Sequence, residues 1–582
     1  MRSETINACW KNLWPEVAND RKGFFLKDHQ RAAVNRSVRL PTLRGGEGFK
    51  AATEDKFEEP VIKGSPARVQ TAPGTGLTYC RKCKPGSDFD RTGRPVSALQ
   101  YWRLYLLTLV LGIGGSFQVG VQYAIIPHPE VHVHKFVNQT WISRYGVPVA
   151  DSTNQLIWSF IVSVFSLGGL AGALTGTKLA VTYGRKKTLW LNNILAVVAA
   201  LLVLFSRMAE SFEMILLSRI IFGFNNGVGL NVHLMYIGEC SPNKLRGFLT
   251  STVSIFAVFG KVFGQIIGIK EILGSEEMWP YLLAISGLPA ILQFVTLPFF
   301  PEAARYLYID KGDVDGTKKS LRWLWQEDSL KMVLEDMQKE KESKEREEIK
   351  TIKDVLTSQC VRWQLMTLIL PCSLVNFCGI TALYFYAFDI FRTSGVPEGL
   401  IHYLTIGIGM TELISVIIGS FLLGCASKKR MVGSCYVLSG ITMSILTVTL
   451  SIKHLASWIP YVSIALIFLF VWIFGLGPAG GCLSLPADIF LQAWRPPAYV
   501  ILGIIFWLSV FILGMTFGYT VDGLGQYCFL FFVTYCILSG SFVLRFVPET
   551  NGKAIMEITE EYNKLNYKNK STDDSKNIDK IR

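Results

Sequence analysis

The chain has 582 residues, half of them apolar by type, with 58 Lys and Arg against 45 Asp and Glu and a net charge of +13. Its mean hydropathy of +0.33 and its many long apolar runs exclude a soluble multidomain protein, whose helices would each need a polar face. The positive charge lies in short loops beside apolar runs, which points to membrane topology and anionic headgroups rather than to nucleic acid.

Residues 1–100 are polar, basic and interrupted by Gly and Pro, and are expected to form a cytosolic tail that is mostly disordered. The opening stretch has no continuous apolar segment of the kind a signal peptide needs. Cys80 and Cys83 have half the spacing of a zinc site, but no second pair accompanies them, so no metal and no cofactor are expected. Seven other cysteines (Cys372, Cys378, Cys425, Cys435, Cys482, Cys528 and Cys536) fall inside apolar runs and read as packing residues.

From about residue 101 onward the pattern changes. Runs such as ILAVVAALLVLF (194–205) and YVSIALIFLFVWIFGLG (461–477) have no polar face. With their neighbours they reach about 20 residues, enough to cross about 30 Å of hydrocarbon. About twelve spans are predicted, near 103–124, 155–177, 188–206, 213–236, 248–269, 280–299, 363–387, 400–423, 431–451, 459–485, 498–519 and 526–546. Between the sixth and seventh lies EDMQKEKESKEREEIKTIKDVL, a solvated helix with opposite charges at helical spacing. The expected organisation is an all-α membrane protein: an N-terminal six-helix half over 101–300, a cytosolic helical linker over 301–362, a C-terminal six-helix half over 363–547 and a cytosolic tail over 548–582.

Loop charges orient the spans. The basic loops at 183–187, 243–247 and 427–430 follow even-numbered spans, which places them and both termini in the cytosol. The first outer loop then carries Asn138 in the sequon NQT, a glycosylation acceptor on the side where glycosylation occurs.

An internal repeat divides the spans in two. Glu239 and Arg246 recur as Asp488 and Arg495 at a constant offset of 249 residues (488 − 239 and 495 − 246). Glu302 of PEAAR recurs as Glu549 of PET, and Arg185 of YGRKK is echoed by SKKR at 427–430. Six helices and a marked inner face repeated in parallel describe a major facilitator fold with twelve transmembrane helices. Arg185, Glu239, Arg246, Glu302, Arg305, Asp488, Arg495 and Glu549 are the candidate cytosolic gate. Paired across the halves they would close that side, and individually weak surface pairs suit a gate that must open. Simple topology anchoring would explain the same charges.

These motifs resemble the facilitative hexose transporters, the GLUT-type sugar porters. The resemblance covers about 100–562 and rests on GSFQVG, NQTW, YGRKK, MYIGECSPNKLRG, ILGSEEMWPYLL, LPFFPEAARYL and FVPETNGKAIMEI. GSFQ and FGLGPAGG look most like the branch of fructose and urate carriers. The resemblance implies a plasma-membrane carrier with a cavity between its halves and alternating access without ATP.

The positions that contact sugar in that family agree less well. Val375 and Asn376 stand where the resemblance implies glutamines, Thr381 where it implies an asparagine, Ser254 for a glutamine and Leu483 for a tryptophan. Gln265 and Trp507 are kept. An unpaired desolvated hydroxyl costs about 1–3 kcal/mol, so a thinned polar pocket implies weaker hexose binding or another solute.

Two charges inside apolar runs bear on that choice. Glu412 lies 15 residues from Ser427 (427 − 412) and Lys261 lies 15 from Arg246 (261 − 246), each roughly 22 Å deep at helical rise. Asn376, 14 residues from Arg362 (376 − 362), is roughly 21 Å deep by the same rise. Neither charge should face lipid, and Lys261 and Glu412 are expected to bridge the cavity. The expected binding set is Lys261, Gln265, Asn376, Thr381, Glu412, Trp507 and Ser254. It would serve a hexose (glucose or fructose) or related small polar solute by facilitated diffusion. The alternatives are an organic-anion (urate-like) or proton-coupled carrier using Lys261 and Glu412, and a transport-dead sugar sensor. No enzyme signature is found: there is no phosphate loop and no nucleophile with a plausible base. The partners expected are the small solute and the lipid bilayer, without nucleic acid.

Overall fold

The computed structural model describes residues 101–567 except 243–244, 327–329, 347–349, 394, 453, 492, 552 and 554. The expected tail over 1–100, the Cys80–Cys83 motif and the last residues of the C-terminal tail lie outside the described residues. Among the described residues every element is helical. Eleven helices among the described residues are long and apolar enough to cross a membrane: Trp102–Ala124, Asp151–Tyr183, Arg185–Ser206, Glu213–Cys240, Arg246–Ile267 and Trp279–Phe299 (spans one to six), then Gly399–Leu423, Lys428–Ser451, Ile459–Pro486, Arg495–Val521 and Gly525–Phe546 (spans eight to twelve).

The seventh predicted span is not a continuous helix. It is split into Arg362–Thr367, a π turn over Leu368–Ser373, a tight turn over Val375–Cys378 and a helix over Ile380–Phe385. Pro371 has no N–H to donate and its ring displaces the carbonyl four residues earlier. Gly379 then turns the chain at φ +103°, a conformation that side chains with a Cβ disfavour. Such a break survives in a bilayer only if the freed carbonyls find donors. They do: Tyr436 donates to Pro371 O at 2.6 Å, Cys482 Sγ to the same oxygen at 3.1 Å, and Tyr535 to Leu370 O at 2.6 Å.

Elsewhere the spans pack through small residues. Gly168 and Gly172 on span two face Gly223 and Gly227 on span four, two small-xxx-small pairs. A Cβ at Gly223 would sit 1.9 Å from Phe165 O, and one at Gly168 would sit 2.1 Å from Ile220 O. The two backbones therefore touch, the usual way helices associate where lipid removes the hydrophobic drive.

On the face that carries the basic loops, a helical plate underlies each half. The helix Val314–Trp325 is capped by Asp313, which accepts from Gly316 N. It buries Leu321, Leu324 and Trp325 against Leu104, Leu107 and Ile237, and Trp325 Nε1 donates to Cys240 O at 2.9 Å. The helix Ile555–Asn566 supports the start of segment seven. Asn566 accepts from Trp363 N at 3.0 Å and donates to Cys360 O at 2.6 Å, while Tyr562 and Thr367 share a hydrogen bond of 3.1 Å.

Candidate functional site

Spans five and eight come from different halves and run side by side. Gly409 lets them approach: a Cβ there would lie 2.1 Å from Gln265 Oε1. One turn nearer the basic face, Lys261 Nζ donates to Glu412 Oε1 at 2.7 Å and to Oε2 at 3.0 Å. The Glu412 side chain is 2% exposed and that of Lys261 15%. Tyr384 of segment seven donates its hydroxyl to Glu412 Oε2, and Lys261 Nζ lies 4.1 Å from the centre of the Tyr384 ring. One carboxylate thus receives an ammonium and a phenol in a nearly dry place, where charge-assisted bonds are strong. The tyrosine adds its ring face to the cation.

The other expected binding residues fall in two groups. Gln265 stays with the pair, buried, and its Oε1 has no hydrogen-bond partner among the described residues. Asn376 and Thr381 form a separate knot in the second half. Thr381 donates to Asn376 Oδ1 at 2.7 Å, and Asn376 Nδ2 donates to Ser509 Oγ at 2.8 Å and to Phe506 O at 3.3 Å. Asn376 spends its amide on span eleven. Trp507 packs across the halves on Gly169, where a Cβ would lie 2.4 Å from its ring, and on Phe165 at 5.9 Å between centroids. Ser254 is half-buried, two turns along span five from Lys261.

Two features escaped sequence reasoning. The bond from Tyr384 to Glu412 is one, because it follows the break in segment seven. Arg219 of span four is 1% exposed. It donates to Gln122 Oε1 and, at 3.1 Å, to Ile161 O, and it stacks 4.6 Å over Phe165. The signal was present: an arginine amid ILLSRIIFGF cannot face lipid, and it needed an acceptor on a neighbouring span.

The basic-face charges depart from the expected pairing across the halves. Arg185 donates to Glu239 Oε1 at 2.7 Å and to Asp310 Oδ2 at 3.2 Å, and its guanidinium lies over Tyr306 at 4.5 Å. Glu302 accepts from the backbone N–H groups of Arg185 and Lys186 at 3.0 Å each. Arg305 pairs with Glu340 of the linker. In the second half Lys428 pairs with Asp488 at 2.6 Å, Ser427 donates to Glu549, and Arg495 Nε donates to Phe490 O at 2.8 Å. Arg246 is half-buried with its Nε unpaired among the described residues. Each bond stays within one half and its plate. The reason is local: Gly184, at φ +99°, turns span two directly into span three and delivers Arg185 to the end of span four before any charge of the other half is within reach.

Among the described residues no group of three or more His, Cys, Asp or Glu could hold a metal. An apolar cleft lined by Ile113, Phe117, Phe263 and Leu292 lies between spans one, five and six. Leu292 is half exposed there, and the cleft offers no partner to a polar solute. The Lys261–Glu412–Tyr384 cluster can do what the cleft cannot. It brings carboxylate oxygens, an ammonium and a phenol, groups able to hydrogen-bond hydroxyls, together on helices from opposite halves.

The profile of the family described as "Sugar (and other) transporter" matches residues 107–562. The human solute carrier family 2, facilitated glucose transporter member 11, is 38% identical over 475 residues, covering 81% of this chain and 96% of its own. Human member 5 is 35% identical over 463 residues, covering 80% and 92%. Human member 9 is 32% identical over 494 residues, covering 85% and 91%. Among solved structures, the partially occluded inward-open xylose transporter XylE from E. coli superposes with a TM-score of 0.62 at 19% identity, covering 78% of this chain and all of that one. The same major facilitator protein bound to 6-bromo-6-deoxy-D-glucose gives 0.64 at 19% identity, covering 79% and 99%. The structural likeness carries the major facilitator fold, and the sequence matches carry the lineage. This chain is therefore a multi-pass membrane protein that belongs to the sugar (and other) transporter family.

Proposed function

We propose that this protein carries a hexose, glucose or fructose, across a membrane by alternating access and facilitated diffusion. The observation that carries the reading is the Lys261–Glu412 pair, a 2.7 Å contact between the two halves with Tyr384 on the same carboxylate. A polyol can replace these bonds one for one, donating to Glu412 and accepting from Lys261, so the pair can yield to substrate without leaving a bare charge. The facilitated glucose transporters among its relatives supply the solute class. An organic anion is the weaker reading, because Lys261 is already neutralised by Glu412. The within-half ion networks on the basic face would stiffen each half so that it rocks as one body.

The test is uptake of labelled glucose and fructose into liposomes carrying the purified protein, without ion gradients, against empty liposomes. Saturable equilibration is expected. No uptake from folded protein would overturn hexose carriage, and uptake only under an inward pH gradient would replace uniport by proton coupling.

The proposed topology places the basic face and both termini in the cytosol and the protein in the plasma membrane. Asn138 then faces outward on the helix Glu130–Tyr145, its Oδ1 accepting from Val149 N at 3.1 Å. Expressed in mammalian cells, the protein should shift to lower mass on glycosidase treatment, and Asn138→Gln should remove the shift. A mass unaffected by the enzyme would argue against an outward-facing, glycosylated Asn138.

A further inference from the structure

On the face opposite the basic loops, the halves meet through a pair of histidines that the proposed carrier mechanism does not use. His128 lies in the turn after span one, and His402 lies in the first turn of span eight. Their rings stack at 5.7 Å between centroids with 18° between planes. Phe388, which follows segment seven, sets its ring across both, 5.4 Å from His128 and 4.8 Å from His402. Gly268, at the end of span five, closes the fourth side. A Cβ there would lie 2.4 Å from the His128 ring. His128 is 8% exposed, and His402 Nδ1 has no hydrogen-bond partner among the described residues.

We propose that His128 and His402 form a proton-sensitive clasp: neutral and stacked, they hold the two halves together on this face, and protonation parts them. An imidazolium in this slot loses its water, and a second one stacked on it repels the first. Beyond the rings themselves, the charged groups that bear on the pair are Lys270 and Glu271, in the turn after span five, which act on His402 with opposite signs. The Gly268 backbone is the polar neighbour that favours a charged His128. Burial, reinforced by His402, pushes the His128 imidazole down from 6.5 to about 3. Its folded-state value lies below its exposed value, so the clasp is at full strength above about pH 6.5 and weakens as the pH falls. Freed to its ordinary value on opening, this one histidine shifts the closed-to-open ratio about tenfold between pH 7.5 and 5.5. The inference deepens the alternating-access reading, since acid on this face would favour the state open to it.

The experiment needs no solute, so its outcome is separate from that of the uptake assay. A ketone-bearing amino acid at Val131, 58% exposed, and at Leu455, 78% exposed, carries nitroxides without touching the native cysteines. Distances between them are read by pulsed electron resonance in nanodiscs at pH 7.5 and 5.5. A longer-distance population should grow about tenfold relative to the short one at pH 5.5 and reverse on return to pH 7.5. His128→Phe keeps a ring in the stack and should abolish the response, while His402→Phe, which leaves His128 buried but without its stacked partner, should only reduce it; a variant is read when it keeps the parent's pH 7.5 distance. A parent distribution unchanged by pH, or an equal response in such a variant, overturns the clasp.

Discussion

Glu412→Gln abolishes uptake and destabilises the protein by about 3–5 kcal/mol, the cost of breaking a buried ion pair by removing one partner. The change leaves Lys261 charged and without its carboxylate at a depth of roughly 22 Å by helical rise. It also takes the ionised acceptor from Tyr384, whose hydroxyl bonds the same carboxylate. Lys261→Met should be milder in stability. Glu412, though the more buried partner at 2% against 15%, keeps the hydroxyl bond of Tyr384, whereas Lys261 without Glu412 keeps only the Tyr384 ring face. The double variant Lys261→Met with Glu412→Gln should regain much of the lost stability, since removing both charges removes the desolvation problem with the pair. Uptake distinguishes pairing from solute contact. The swap Lys261→Glu with Glu412→Lys should restore part of the transport that each single reversal loses. If it restores none while the protein remains folded, transport does not depend on the pair as such.

Arg185→Ala is the second large loss, about 3–5 kcal/mol by the same logic of a buried charge left alone. Arg185 is 5% exposed and serves Glu239, Asp310 and Ala180 O at once. Without it Glu239 and Asp310, 16% and 14% exposed, both lose the guanidinium they share. Arg185→Lys should recover less than half, because an ammonium cannot reproduce the fork that reaches Glu239 through two nitrogens. Thermal unfolding in detergent micelles, followed by tryptophan fluorescence, measures both variants. If Arg185→Ala unfolds with the parent, the network is a surface decoration, and the view of each half as a stiffened body fails.

Much of the architecture was legible before any coordinates. Eleven spans coincide with apolar runs because about 30 Å of hydrocarbon requires about 20 apolar residues whatever the neighbours do. Lys261 and Glu412 could be matched in depth because helical rise is constant, and a charge at that depth needs a partner. Where the rise is not constant, counting fails. Pro371 and Gly379 leave the composition of segment seven as apolar as any span, yet they break it. That break puts Tyr384 on Glu412, and Asn376 on Ser509 rather than on the pair.

The sequence by itself determined a multi-pass helical membrane protein, its lineage, and two charges at matching distances along their helices. Each of these follows from composition and from distance along a helix. The tertiary structure alone decided which charges meet. Depth is written in the chain, but azimuth is set by how helices pack, so Arg185 turned to its own half, Lys261 turned to the other, and His128 found His402 across the opposite face.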